Sequence, residues 1–133
     1  MSASWALQQA IFAELSSSDA VKAVAGDPPR VFDVPPRAAA FPYVVVGDDA
    51  VSDWSTATEP GSEHVVAIHI WSRANGHREA KLCAQAVEDA LDGAELAVTG
   101  QALIDIRHLS SEYARDADGV HAVLKFRAVM ESE

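Results

Sequence analysis

Only one cysteine, Cys83, occurs in the chain. It can form no internal disulfide, so nothing points to an oxidising compartment. Basic residues are also scarce: 10 Lys and Arg stand against 20 Asp and Glu, a formal net charge of −10. That balance argues against non-specific nucleic-acid binding, which needs Lys and Arg to displace counterions. It argues equally against docking on an anionic membrane surface. No apolar run approaches the ~20 residues of a spanning helix, and the N-terminus lacks the basic and apolar regions of a signal peptide. The expected compartment is the cytoplasm, or a particle assembled there, with no membrane partner.

Signatures of catalysis are missing as well. There is no CxxC and no HExxH, so no closed zinc site is predicted. His64 and His69 are five apart and fall on opposite faces of a strand. His69 and His121 share a parity and can be cross-strand neighbours, but two ligands do not close a site. Asp48, Asp49 and Asp53 lack the spacing of a calcium loop and read as a solvated acidic loop. No G-x-S-x-G elbow is present, and the glycines are too dispersed to cradle a phosphate. Cys83 falls on the apolar side of a predicted helix, where a thiol stays protonated and inert. Carboxylates are plentiful, yet no two are singled out as an acid and base pair. The expectation is no enzyme, no cofactor and no metal, with carboxylate catalysis the most distant reading.

What is present is a pattern of elements. With 133 residues, 49% of them apolar, the chain suffices for one domain over residues 1–133 with its own core. The pattern centres on Ser62 to Leu91, a strand (Glu63 to Ser72) leading into an amphipathic helix (His77 to Leu91). Asn75 is its expected N-cap, and Gly93 follows its end. Ser2 to Ser17 reads as a helix carrying Trp5, Leu7, Ile11, Phe12 and Leu15. Ser2 or Ser4 caps it, and a second short helix follows over Ala20 to Ala25. Arg30 to Val34 and Tyr43 to Gly47 are strand candidates. Asp48 to Gly61 reads as a strand extension and an exposed loop around Trp54. Leu103 to Tyr113 and Val120 to Met130 form a hairpin across Asp116 to Gly119. The fold class is α+β: a mainly antiparallel sheet of about four to five strands, one long helix packed on one face, and an N-terminal helix.

Parity divides these strands into two faces. Val66, Ile68 and Ile70, with Ile104, Ile106, Leu124, Phe126 and Met130, form the core face. The helix stripe Ala80, Cys83, Ala84, Val87 and Leu91 covers it. The odd face carries Val65, His69, Trp71, Val123, Lys125, Arg127 and Val129, with Leu103, Asp105, Arg107 and Leu109. That is too apolar for a face left in water. Either the N-terminal helix covers it, or it meets a second subunit. Arg73, Arg78 and Lys81 gather near the strand-to-helix turn, where surface pairing and inter-subunit pairing are both open.

The order of these elements carries a resemblance. Arg30-Val31-Phe32-Asp33-Val34-Pro35-Pro36 is followed by Phe41-Pro42-Tyr43-Val44-Val45-Val46-Gly47. Glu63-His64 then opens the strand closing in His69-Ile70-Trp71-Ser72-Arg73, and a helix begins near Glu79-Ala80. In this the chain resembles the tail completion, or tail terminator, proteins of tailed bacteriophages, prophages and gene transfer agents. The resemblance implies a structural virion protein that forms a ring, usually of six subunits, at the head-proximal end of the tail tube. Such a ring ends tube polymerisation and joins the tail to the head connector. It implies as partners further copies of the chain, the major tail tube protein and the connector, with DNA only passing through the channel. It carries no catalytic residues. The expected subunit or tube contact comprises Trp54, Val65, His69, Trp71, Arg73, Val123, Lys125 and Arg127. The alternative is a small oligomeric binding or adaptor domain without catalytic activity.

Overall fold

The computed structural model describes residues 2–133. Three helices, Ala3–Ser17 (α1), Asp19–Ala25 (α2) and Arg78–Leu91 (α3), accompany five strands. These are Val31–Phe32 (β1), Tyr43–Asp53 (β2), Gly61–Ser72 (β3), Gln101–Asp116 (β4) and Gly119–Ser132 (β5). The strands form one sheet in the order β1-β2-β3-β5-β4. Only the short β1 runs parallel to its neighbour; the other pairings are antiparallel. The α+β architecture expected from the sequence is the one observed.

Local chemistry explains the helix ends. The Ser2 hydroxyl accepts from the Trp5 N–H at the start of α1, and Ser18 does the same for Val21 at the start of α2. Asn75 does not cap α3: the N-cap is His77, which makes no side-chain capping bond. Instead Ser72 Oγ donates to Glu79 Oε1 at 2.7 Å, tying the end of β3 to the first turn of α3.

All three helices lie over one face of the sheet. α1 packs on β1, β2 and α3, and α2 packs on α3. Leu7, Ile11 and Leu15 therefore join Val66, Ile68, Ile70, Val87, Leu91, Leu124 and Phe126 in one buried cluster. Each such side chain contributes roughly 1.5–3 kcal/mol by leaving water. The N-terminal helix thus does not cover the odd face, and one of the two open readings is removed.

Facing is settled in α1 and corrected in β4. In α1 the repeat Leu7, Ile11, Leu15 sets the buried stripe, and Trp5 and Phe12 are offset from its centre by roughly 100–120°. Both lie outside the core, each 46% exposed. In β4 the pairing with β5 slips at Ile104 and again at Leu109. Each slip is a bulge, which inserts one unpaired residue and reverses the parity that follows. Leu103 consequently packs against the core, whereas Ile104 and Leu109 are exposed.

The acidic segment follows the strand-extension reading, and Asp48 and Asp49 depart from that of a solvated loop. β2 continues past a register shift after Val46 and runs to Asp53, so Asp48 and Asp49 are strand residues. Asp49 points inward, where its Oδ2 accepts from His64 Nδ1–H at 2.9 Å and from Ser4 Oγ at 2.6 Å. His64 is fully buried, and its Nε2 meets Ser62 Oγ at 2.8 Å. A buried imidazole is tolerated because both of its nitrogens have partners.

Candidate functional site

With the helices on one side, the other face of β2, β3, β5 and β4 has no layer over it among the described residues. The register places Tyr43, Trp71, His121 and Ala114 in one cross-strand row. Val45, His69, Val123 and Glu112 form the next. Asp48, Ala67, Lys125 and Ser110 follow, then Ala50, Val65, Arg127 and Arg107. Val65, His69, Trp71, Val123, Lys125 and Arg127 thus share one surface, as parity predicts for the unbulged strands β3 and β5.

Two expected residues do not lie within that surface. Arg73 sits past the end of β3, with its guanidinium 4.4 Å from the centre of the Phe41 ring. Trp54 begins the loop between β2 and β3, at the end of β3 opposite Trp71. In that loop the Ser55 hydroxyl and then its N–H hold Asp53 below its ordinary carboxylate value.

The surface is an ordered array. The Trp71 and His121 rings stack at 3.8 Å between centroids and 3° between planes. His121 Nε2 lies 3.0 Å from His69 Nδ1, and His69 Nε2 lies 2.8 Å from Asp48 Oδ2. The carboxylate accepts from His69 Nε2–H, which leaves Nδ1 to accept from His121 Nε2–H. Burial, and then the neighbouring His69, hold His121 below its ordinary value of 6.5, with Asp116 acting in the opposite sense. Arg107 and Arg127 stand directly opposite each other, an arrangement that repels unless each charge is held elsewhere. Arg127 pairs with Glu63 at 2.6 Å and Arg107 with Asp105 at 3.0 Å.

This arrangement can serve as a contact surface. Among the described residues no group of three or more His, Cys, Asp or Glu side chains is placed to hold a metal. Cys83 is buried, and burial, reinforced by Glu79 and opposed by Arg30, raises its thiol to about 12. Among the described residues no helix is long and apolar enough to cross a membrane.

A second feature escaped the parity reading. Trp5 and Phe12 of α1, with Phe32 and Val46, line an open cleft of about 350 Å³ at the β1 edge of the sheet. The seven-residue spacing of Trp5 and Phe12 was the available signal, since it places both on one helix flank.

Comparison with known proteins adds a lineage to this geometry. The sequence model of the family described as Tail completion protein gp17 matches residues 9–131. A chain of the solved structure "Virion of native gene transfer agent (GTA) particle" is 32% identical, covering 95% of each chain at a TM-score of 0.87. No curated protein matches the chain.

Proposed function

Because the chain belongs to the tail completion protein gp17 family, we propose that it caps the head-proximal end of a phage-like tail tube as a ring of six subunits. The ring ends tube polymerisation and presents a docking surface to the head connector. Its partners are further copies of itself, the major tail tube protein and the connector, and residues 1–133 act as a single tail-terminator domain. Assembly takes place in the bacterial cytoplasm, and the role is structural rather than catalytic.

The likeness to a chain of a gene transfer agent virion carries this reading. The bare sheet face supports it, because a ring subunit needs heterologous contacts that close by rotation. Val65, His69, Trp71, Val123, Lys125 and Arg127 serve as a subunit or tube contact, with Arg73 and Trp54 at its two ends. The net charge of −10 suits a channel through which DNA slides without being held.

Deleting the gene in the producing bacterium and viewing the particles by electron microscopy tests the proposal. Tails of uncontrolled length, separated from heads, are expected. Joined tails of normal length would reject it.

A further inference from the structure

The two lateral edges of the sheet are unlike each other. At the β1 edge lies the apolar cleft of Trp5, Phe12, Phe32 and Val46, with the Asp33 carboxylate on its rim. Asp33 is exposed and forms no ion pair among the described residues. At the β4 edge, Ile104 and Leu109 mark the two bulges, and each is 51% exposed. Arg107 lies between them in sequence, with 62% of its side chain open to solvent. The cleft is thus mainly apolar with the Asp33 carboxylate in its lining, and the bulges are apolar with Arg107 between them, paired with Asp105 and still largely open to solvent.

These features cannot meet within one chain. They lie at opposite ends of a five-stranded sheet, so roughly 19 Å of strand spacing separates them. They can meet between chains. A cleft on one edge and a matching protrusion on the other is a heterologous pair, the kind of contact that propagates in one direction and closes when the rotation allows. Gln8 and Gln9 of α1 line the cleft beside these apolar groups.

We propose that the β4 edge of one subunit docks in the α1–β1 cleft of the next, with Ile104 and Leu109 against Trp5, Phe12 and Phe32 and with Arg107 facing Asp33. The proposal rests on the ring reading and names its subunit contact. It adds to the contact offered by the bare sheet face, on which Arg107 also stands.

The test uses particles assembled in the producing bacterium with a chain carrying both Gln9→Cys and Leu109→Cys. Cys83 is fully buried and does not compete. Treatment with a short bis-maleimide is expected to give a ladder of covalent oligomers ending at the ring number, while either single variant gives no ladder. Rings visible by electron microscopy without a ladder would overturn the contact and leave the ring reading intact. Absence of rings from unsubstituted particles would overturn both. Charge reversal provides a second arm. Asp33→Arg is expected to weaken subunit association roughly tenfold, and Arg107→Asp in the same chain to restore it, with circular dichroism unchanged. If Asp33→Arg detaches the tube while rings persist, the cleft binds the tube protein and the proposal fails.

Discussion

Trp71 and His121 lie face to face across β3 and β5, their ring centroids 3.8 Å apart and their planes 3° from parallel. The stack stands on the sheet face that no helix covers, so it holds a large aromatic surface flat and ready for contact. Ordering it in advance removes part of the entropy cost of binding. Trp71→Glu is expected to weaken assembly by tenfold or more while leaving the fold unchanged, because hot-spot energy concentrates in such aromatic anchors. Light scattering, with circular dichroism as control, reads this. Assembly equal to that of the unsubstituted chain would remove Trp71 from the contact.

His121 gives the face a pH signature. Its value is held below 6.5, first by burial and then by His69. The unfolded chain therefore takes up the proton at a higher pH than the folded chain does. Between those two values the unfolded state binds more protons, so stability falls as pH is lowered through about 6.5. Denaturant midpoints measured between pH 8 and pH 5 should show this decline, and His121→Phe should flatten it. An NMR titration of His121 with a midpoint at or above 6.5 would contradict the assignment.

Neighbouring aspartates should differ in what their removal costs. The Asp49 side chain is 10% exposed and serves buried His64, whereas the Asp48 side chain is 75% exposed and serves His69 at the surface. Asp49→Ala leaves the His64 Nδ1–H without an acceptor, at an expected cost of about 1–3 kcal/mol. Asp48→Ala should cost about 0.5 kcal/mol or less. Urea unfolding of the two variants decides the matter, and equal costs would refute the buried network.

Gly119 closes the β4–β5 turn with a φ of +140°, and a Cβ added there would lie 2.9 Å from Arg73 Cα and closer still to Ser72 O. Backbone cannot move aside as a flexible side chain would. Gly119→Ala is expected to destabilise the fold by more than about 1 kcal/mol, read as a lower denaturant midpoint.

Cys83 should be inert in the folded protein. Burial, with help from Glu79, raises its thiol to about 12, and the thiolate is the reactive form. A colorimetric disulfide reagent at pH 8 should label it only after denaturant is added. Stoichiometric labelling of the native protein would show that α3 opens readily.

Much of this architecture could be read from the residues themselves. Val66, Ile68 and Ile70 alternate cleanly with Val65, His69 and Trp71, because β3 pairs with β5 in unbroken register and its pairing with β2 shifts only on the β2 side, after Val46. Parity therefore assembled most of the candidate surface. It failed in β4, since nothing about the residue types Ile104 or Leu109 announces a bulge. The exposure of Trp5 and Phe12 was not legible, because α1 is apolar on more than one flank and periodicity alone does not say which flank faces the core. The side of the sheet that α1 occupies depends on the long connection through β1, which periodicity does not report. Asp49 read as solvated because its partners, Ser4 and His64, are distant in sequence.

The central claim is that this chain forms the ring between tail tube and head. Cryo-electron microscopy of particles from the producing bacterium, at a resolution that traces chains, tests it most directly. A single closed ring of this chain is expected at the head-proximal end of the tube, its subunits related by rotation about the tail axis. Density for the chain elsewhere in the particle, or a tube joined to the connector with no such ring between them, would contradict it.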